Sequence, residues 1–189
     1  MFFYNLGEQL MSDFTFYTPE NSDETAKEIL TKIEDKYGFI PNLFGYMAEA
    51  PYLIEAYVML TELLEKTALS TAQQQVALLA VSHYNNCGFC QVAHRAFGKM
   101  KKANSQTLAA IIENKIIEDA SDKALVDMVI AMTEQRGVLS DEQINSFLAA
   151  GFSRRNIYDL VLIISIKTMS NYANHLTAPE PNEQLLAML

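Results

Sequence analysis

The chain has 189 residues, of which 50% are hydrophobic, and a formal net charge of −9. This length predicts one domain, or two small halves that share one core. The acidic charge argues against nucleic acids and anionic membrane surfaces as partners, and no apolar run reaches the roughly 18 residues that predict a membrane-spanning helix.

The first residues lack the marks of a secretory leader. Residues 1–6 have no basic region, and no small-residue cleavage site follows a long apolar stretch, so they do not match a signal peptide. We therefore expect a cytoplasmic protein. Met11 is a plausible alternative start, and residues 1–20 are interpreted as an N-terminal extension that precedes a helical domain at residues 21–189.

Helix signals recur along this domain. A capping box formed by Asn21 and Glu24 predicts the first helix, which Gly38 ends. Pro41 and Pro51 suit first helical positions. Further helix starts are predicted at Ser70, Ser105, Ser121, Ser140 and Ser153, and further ends at Asn114, Gly137 and Gly151.

Strand signals are weak, because no alternating run lies beside an Asn-Gly or Asp-Gly turn. The tail from Ala178 contains Pro179 and Pro181 and is predicted to be extended. The sequence therefore predicts an all-α domain of about eight helices.

Both cysteines lie in one short segment, which runs from Cys87 to His94. Asn85 or Asn86 could cap a helix that begins at Cys87. At about 100° per residue, Cys87, Cys90 and His94 then share one face of that helix. Cys87 would lie at the positive end of the helix dipole, which stabilises a thiolate. His94 would lie one turn beyond Cys90, close enough to take its proton.

Three interpretations of the two thiols remain open. In a reducing compartment, two cysteines at this spacing favour a redox pair or a metal site over a structural disulfide. Both could instead be small side chains buried in the core. A metal site would need Cys87, Cys90, His94 and a fourth ligand, for which His83 is the nearest candidate in the sequence.

In its helical context the motif resembles the core of the alkylhydroperoxidase AhpD family, which belongs to the carboxymuconolactone decarboxylase superfamily. The resemblance rests on residues 73–82, on the Cys-x-x-Cys motif at 87–90 and on His94. It covers most of residues 12–185 and implies an all-α, AhpD-like domain. Further matches lie at residues 36–44, 151–153 and 171–175.

The resemblance also implies a role for each residue of the motif. Cys90 corresponds to the peroxidatic thiol that becomes a sulfenic acid, and Cys87 to the partner thiol that donates a proton and closes the disulfide. His94 corresponds to the relay histidine. The family's glutamate falls at Gln75, whose amide cannot carry a proton, and the histidine that AhpD has between its cysteines is replaced by Phe89.

By resemblance, the chain is expected to be a thiol-dependent peroxidase or disulfide reductase, with a hydroperoxide as substrate and an external dithiol of lipoyl or thioredoxin type as electron donor. Neither an organic cofactor nor a metal ion is expected. Family members form trimers or hexamers, so a homo-oligomer is expected. The alternative is a redox-sensing or adaptor protein on the same scaffold with slow peroxide turnover, which the departures at Gln75 and Phe89 favour.

Overall fold

A computed structural model describes residues 14–189, so residues 1–13, including Met11 and most of the predicted extension, lie outside the described part. The described chain is about 70% helical and contains no strand. Eight of its ten helices have at least seven residues, which confirms the predicted all-α fold of about eight helices. The helices are α1 (Glu24–Tyr37), α2 (Asn42–Met47), α3 (Pro51–Leu63), α4 (Thr71–Tyr84), α5 (Gly88–Met100), α6 (Ser105–Glu113), α7 (Ala120–Glu134), α8 (Asp141–Ala149), α9 (Arg154–Thr177) and α10 (Glu183–Leu186).

Serine caps explain where three of these helices begin. The side chains of Ser70, Ser140 and Ser153 each accept a hydrogen bond from the backbone N–H of the third helical residue. The side-chain oxygen of that third residue in turn accepts one from the backbone N–H of the serine. These reciprocal bonds satisfy N–H groups that a helix start leaves without partners. The predicted starts of α4, α8 and α9 are thereby confirmed.

Two predicted caps are wrong by two residues. The side chain of Asp23, not Asn21, accepts from the N–H of Ala26 at the start of α1. Asn21 stabilises the preceding turn instead. Asp119, not Ser121, caps α7. In both cases an aspartate nearby in the sequence takes the position, since its carboxylate also suits the positive end of the helix dipole.

The predicted extended tail is only partly correct. Residues 178–182 are not helical, but α10 follows them, and its Leu185 is fully buried. Asn182 fastens the tail to the start of α2: its Nδ2 donates to the carbonyl of Ile40 (3.2 Å), and its Oδ1 accepts from the N–H of Asn42 (2.8 Å). The buried side chain of Leu185 and the hydrogen bonds of Asn182 therefore hold this segment against the domain, although its prolines alone predict an extended tail.

Helix α4 lies at the centre of the bundle and packs against α5, α6, α7 and α9. Helix α9 has 24 residues and is about 36 Å long. Its buried stripe begins with Asn156 and Asp159. It then runs through the apolar residues Leu160, Ile163 and Ile166 into the polar residues Lys167, Ser170, Asn171 and Asn174. Within residues 14–189, no helix is both long and apolar enough to cross a membrane.

Candidate active site

A tight turn between α4 and α5 sets the position of the first thiol. Asn85 ends α4, and Asn86 takes a left-handed conformation with φ of 55°. The N–H of Cys87 donates to the carbonyl of Ser82 (2.9 Å). Cys87 is thus itself the N-cap of α5, which begins at Gly88, so the prediction that Asn85 or Asn86 caps a helix beginning at Cys87 is wrong by one residue.

The two thiols meet in the interior. Cys87 and Cys90 are both buried, with 1% and 2% of their surface exposed, and neither forms a disulfide. Nδ2 of Asn174 on α9 donates to Cys90 Sγ (3.1 Å) and lies 3.6 Å from Cys87 Sγ. One amide therefore reaches both sulfurs, and the structure brings together the two thiols that the motif singles out.

The thiols differ sharply in acidity. The pKa of Cys90 is held well below its usual value, first by a hydrogen bond from the Cys87 thiol and then by the charge and hydrogen bonds of Lys167 and Asn174; burial opposes these effects. The pKa of Cys87 is raised, first by its hydrogen bond with Cys90 and then by burial. The environment therefore makes Cys90 the more acidic thiol of the pair. The dipole argument from the sequence favours Cys87, which lies outside the helix.

His94 lies between two polar side chains. Its Nδ1 is 3.0 Å from Oε1 of Gln75 on α4, and its Nε2 is 2.9 Å from Nζ of Lys167 on α9. An ammonium can only donate hydrogen bonds, so Nε2 is the acceptor and Nδ1 carries the hydrogen that is donated to Gln75. Burial and the charge of Lys167 lower the pKa of His94 well below its usual value, which keeps the imidazole neutral.

This arrangement changes the expected relation between His94 and Cys90. Both ring nitrogens are engaged, one by Gln75 and one by Lys167. Lys167 also acts on Cys90, whose pKa its ammonium lowers. The structure thus places a lysine, rather than direct contact, between the thiolate and the imidazole.

Lys167 is the most unusual member of the site. Its side chain is completely buried, and within residues 14–189 it forms no ion pair with a carboxylate. A buried ammonium without a counter-charge is strongly unfavourable. A thiolate on Cys90 is the counter-charge that this site can offer the lysine, and the lysine in turn lowers the pKa of that thiol.

Neither Lys167 nor Asn174 belongs to the cysteine motif, although a signal for both exists in the sequence. They follow Ile163 by four and eleven residues, on the face that α9 buries. A lysine and an asparagine at positions where the helical period predicts apolar side chains indicate a polar centre facing inwards.

Tyr57 borders the thiols, and Asn171 borders the turn that precedes them. Tyr57 on α3 is buried, and burial and the charge of Cys90 raise the pKa of its phenol. Oδ1 of Asn171 accepts from Nδ2 of Asn85 (2.9 Å), which ties α9 to the turn before Cys87. Two buried side-chain atoms of α9, Nδ2 of Asn171 and Oδ1 of Asn174, have no hydrogen-bond partner among the described residues.

His83 and Phe89 stand apart from this polar cluster. The ring nitrogens of His83 lie 3.3 Å from Oε1 of Gln91 and 3.0 Å from Oδ1 of Asn114, and the imidazole lines a groove of about 630 Å³ beside α6 and α7. Phe89 is buried. Residues 14–189 contain no group of three or more His, Cys, Asp or Glu side chains placed to hold a metal ion, so His83 does not complete the ligand set considered for the thiols.

The model of the carboxymuconolactone decarboxylase family matches residues 51–125, which include both thiols, His94 and Gln75. No curated protein matches the chain. Among solved structures, the alkylhydroperoxidase AhpD core of an uncharacterized peroxidase-related protein from Ralstonia eutropha JMP134 superposes with a TM-score of 0.81 at 19% identity, over 94% of this chain and 97% of that one.

Two other solved structures share the fold. An uncharacterized peroxidase-related protein from Silicibacter sp. TM1040 matches with a TM-score of 0.77 and 20% identity, over 95% of this chain and 97% of its own. A variant of the debrominase Bmp8 in complex with 2,3,4-tribromopyrrole matches with a TM-score of 0.76 and 15% identity, over 96% and 97%. At these identities the likeness shows a common fold.

Proposed function

Because this chain is an AhpD-like member of the carboxymuconolactone decarboxylase superfamily, we propose that it is a thiol-dependent peroxidase in which Cys90 attacks a hydroperoxide and Cys87 resolves the product. One observation carries the proposal: Lys167 and Asn174 converge on the Cys90 sulfur, while Cys87 donates a hydrogen bond to it. A buried thiol surrounded by donors is a thiolate, and the thiolate is the nucleophilic form of cysteine.

The reaction follows from the two acidities. The Cys90 thiolate attacks the terminal oxygen of the hydroperoxide, the O–O bond breaks, and Cys90 becomes a sulfenic acid. The other oxygen leaves as an alkoxide, which takes up a proton and becomes the alcohol. Cys87, which keeps its proton, then condenses with that acid; a disulfide forms and water leaves. An external dithiol of lipoyl or thioredoxin type reopens the disulfide by thiol–disulfide exchange. The step needs no organic cofactor or metal ion.

The two unpartnered polar atoms on α9 support a small protic substrate. A hydroperoxide carries one O–H donor and acceptor oxygens, which complement Oδ1 of Asn174 and Nδ2 of Asn171. Buried polar atoms without partners are rare in folded proteins. Binding of the peroxide beside Cys90 would satisfy both.

We further propose that the protein is a cytoplasmic homo-oligomer, a trimer or hexamer as the family resemblance implies. The outer face of α9 exposes Tyr158 (76%), Val161 (47%) and Tyr172 (61%), which recur at helical spacing. An apolar stripe of this kind is typical of an interface. Two free thiols suit a reducing compartment.

A second candidate is a redox sensor with slow turnover. It is favoured by the burial of both sulfurs, since only 1% of Cys87 and 2% of Cys90 is exposed. A peroxide or a dithiol must displace protein atoms to reach them.

The deciding experiment measures peroxide consumption by the reduced protein, with hydrogen peroxide or tert-butyl hydroperoxide and with dihydrolipoamide or reduced thioredoxin as donor. Multiple turnovers that depend on Cys90 would support the peroxidase. Rapid consumption of one equivalent of peroxide, with no further turnover in the presence of either donor, would favour the sensor. If the reduced protein consumes no peroxide and its thiols stay reduced, both functions are excluded.

A further inference from the structure

We propose that Lys167 is the acid that protonates the leaving alkoxide when a hydroperoxide is reduced, an inference that rests on the proposed function. Its Nζ lies 2.9 Å from His94 Nε2 and borders the Cys90 sulfur from the inner face of α9. Its side chain is completely buried, as are the two thiols. Lys167 would then be a catalytic residue that the cysteine motif does not contain.

The reaction needs a proton source at this position. When the O–O bond breaks, the oxygen that stays with the organic group leaves as an alkoxide, a strong base. The two thiols and Lys167 are buried, which removes bulk water as a ready proton donor. A side chain next to Cys90 must therefore supply the proton.

Few of the groups near Cys90 could donate this proton to the alkoxide. No carboxylate pairs with Lys167 or contacts the thiols within residues 14–189. The proton of His94 is on Nδ1 and is donated to Gln75. The Cys87 thiol gives its proton to the hydroxyl of the sulfenic acid, which leaves as water when the disulfide forms. Burial and the charge of Cys90 make the phenol of Tyr57 a weaker acid. Lys167 is the remaining donor.

The atoms and charges balance with lysine in this role. The Cys90 thiolate, the hydroperoxide and the Lys167 ammonium give the Cys90 sulfenic acid, an alcohol and a neutral Lys167 amine. Cys87 and the sulfenic acid then give the disulfide and water. When an external dithiol reduces the disulfide, it supplies two hydrogens; one remains on Cys87, and the other passes from Cys90 to the amine, which restores the thiolate–ammonium pair.

His94 and Gln75 act through Lys167 in this scheme. The neutral imidazole presents a lone pair at Nε2, which directs the ammonium, and Gln75 holds the hydrogen on Nδ1. An amide is sufficient for that task, because it only has to accept a hydrogen bond. Gln75 and His94 are thus positioning residues, and the family's acidic residue is not required for proton transfer.

The test compares two oxidants that differ in the basicity of the leaving group. Reduction of tert-butyl hydroperoxide releases tert-butoxide, which needs a proton, whereas reduction of peracetic acid releases acetate, which does not. Single-turnover rates are measured by stopped flow in the Cys87→Ser background, with and without Lys167→Met, from pH 6 to 9. Alkylation by iodoacetamide, which needs the thiolate but no proton, reports the thiolate fraction separately.

Each rate with an oxidant is divided by the rate of alkylation of the same variant. On this scale we expect Lys167→Met to slow the reaction with tert-butyl hydroperoxide by about 100-fold or more and the reaction with peracetic acid by less than about 10-fold. Lys167→Arg, which keeps the charge but cannot release a proton, should react with iodoacetamide while remaining slow with the alkyl hydroperoxide. Lys101→Met, an exposed lysine at the end of α5, serves as the control and should leave all three rates unchanged.

Equal losses with both oxidants would show that Lys167 only stabilises the thiolate, which overturns the inference while the peroxidase function stands. Full reactivity of Lys167→Arg toward tert-butyl hydroperoxide would overturn it as well. If the protein with Lys167 intact reacts with iodoacetamide but with neither oxidant, the proposed function fails, and the inference fails with it. Circular dichroism confirms that each variant is folded.

Discussion

Lys167 Nζ and His94 Nε2 lie 2.9 Å apart, and this contact joins a fully buried ammonium on α9 to a neutral imidazole on α5. The lysine faces the Cys90 thiolate from the same position. Among residues 14–189 no carboxylate pairs with Lys167, so the group placed to balance its charge is the Cys90 sulfur. The following predictions depend on that balance.

The two thiols should separate cleanly by mutation. Cys90→Ser should abolish the reaction with peroxide, because Cys90 holds the thiolate. Cys87→Ser should leave a sulfenic acid on Cys90, since the resolving thiol is gone. Dimedone labelling followed by peptide mass spectrometry measures both. If dimedone labels Cys87 in the Cys90→Ser variant and does not label Cys90 in the Cys87→Ser variant, the roles of the attacking and the resolving thiol are reversed.

Asn174→Leu should slow alkylation of Cys90 at fixed pH. The Asn174 amide donates to the Cys90 sulfur at 3.1 Å, and a hydrogen bond to a charged group contributes about 1.5 to 3 kcal/mol. At a pH below the pKa of Cys90 in the variant, we expect alkylation of Cys90 to be slower by about tenfold or more. Asn145→Leu, on the exposed face of α8, is the matched control. An unchanged pH profile in Asn174→Leu would mean that the amide does not stabilise the thiolate.

Gln75→Glu should reduce the reactivity of Cys90 near neutral pH. A carboxylate next to Nδ1 favours the imidazolium, whose Nε2 would carry a hydrogen toward the Lys167 ammonium and repel it. Comparison with the family motif alone suggests the opposite, namely that an acidic residue restores the relay. Peroxide turnover and iodoacetamide rates across pH 5 to 9 decide, and a higher turnover in Gln75→Glu would support the relay through His94.

The stability of the reduced protein should pass through a maximum with pH. The folded state lowers the pKa of Cys90 and raises that of Cys87, and an unfolded thiol has a pKa of about 8.5. Below that pH the unfolded chain binds more protons, so stability rises with pH from the folded pKa of Cys90 upward; above it the folded chain binds more, so stability falls.

Urea denaturation under reducing conditions tests this maximum. The free energy of unfolding is compared at each pH with that of the variant carrying both Cys87→Ser and Cys90→Ser, which cancels the contribution of titratable groups remote from the site. A difference that does not vary from pH 6 to 10 would contradict the opposed acidities of the two thiols.

The sequence predicts local features well and the composition of the site only in part. Ser70 and Ser153 are read correctly as caps because capping depends on a few neighbouring residues. Cys87 and Cys90 lie near each other, as their three-residue spacing predicts, and one amide reaches both sulfurs. Lys167 and Asn174 escape prediction, since their contact with the thiols is made more than 70 residues away in the sequence and depends on how α9 packs on α5.

The counter-charge of Lys167 exists only while Cys90 is reduced. Once the disulfide forms, the core must hold an ammonium without a partner or a neutral amine that has lost its proton, and the oxidised protein is less stable in either case. The disulfide should therefore have a comparatively oxidising reduction potential, by about 30 mV for each tenfold stabilisation of the reduced state. Lys167→Met would lower that potential, so the same lysine that prepares the thiolate also makes the disulfide easy for a weak dithiol to reopen.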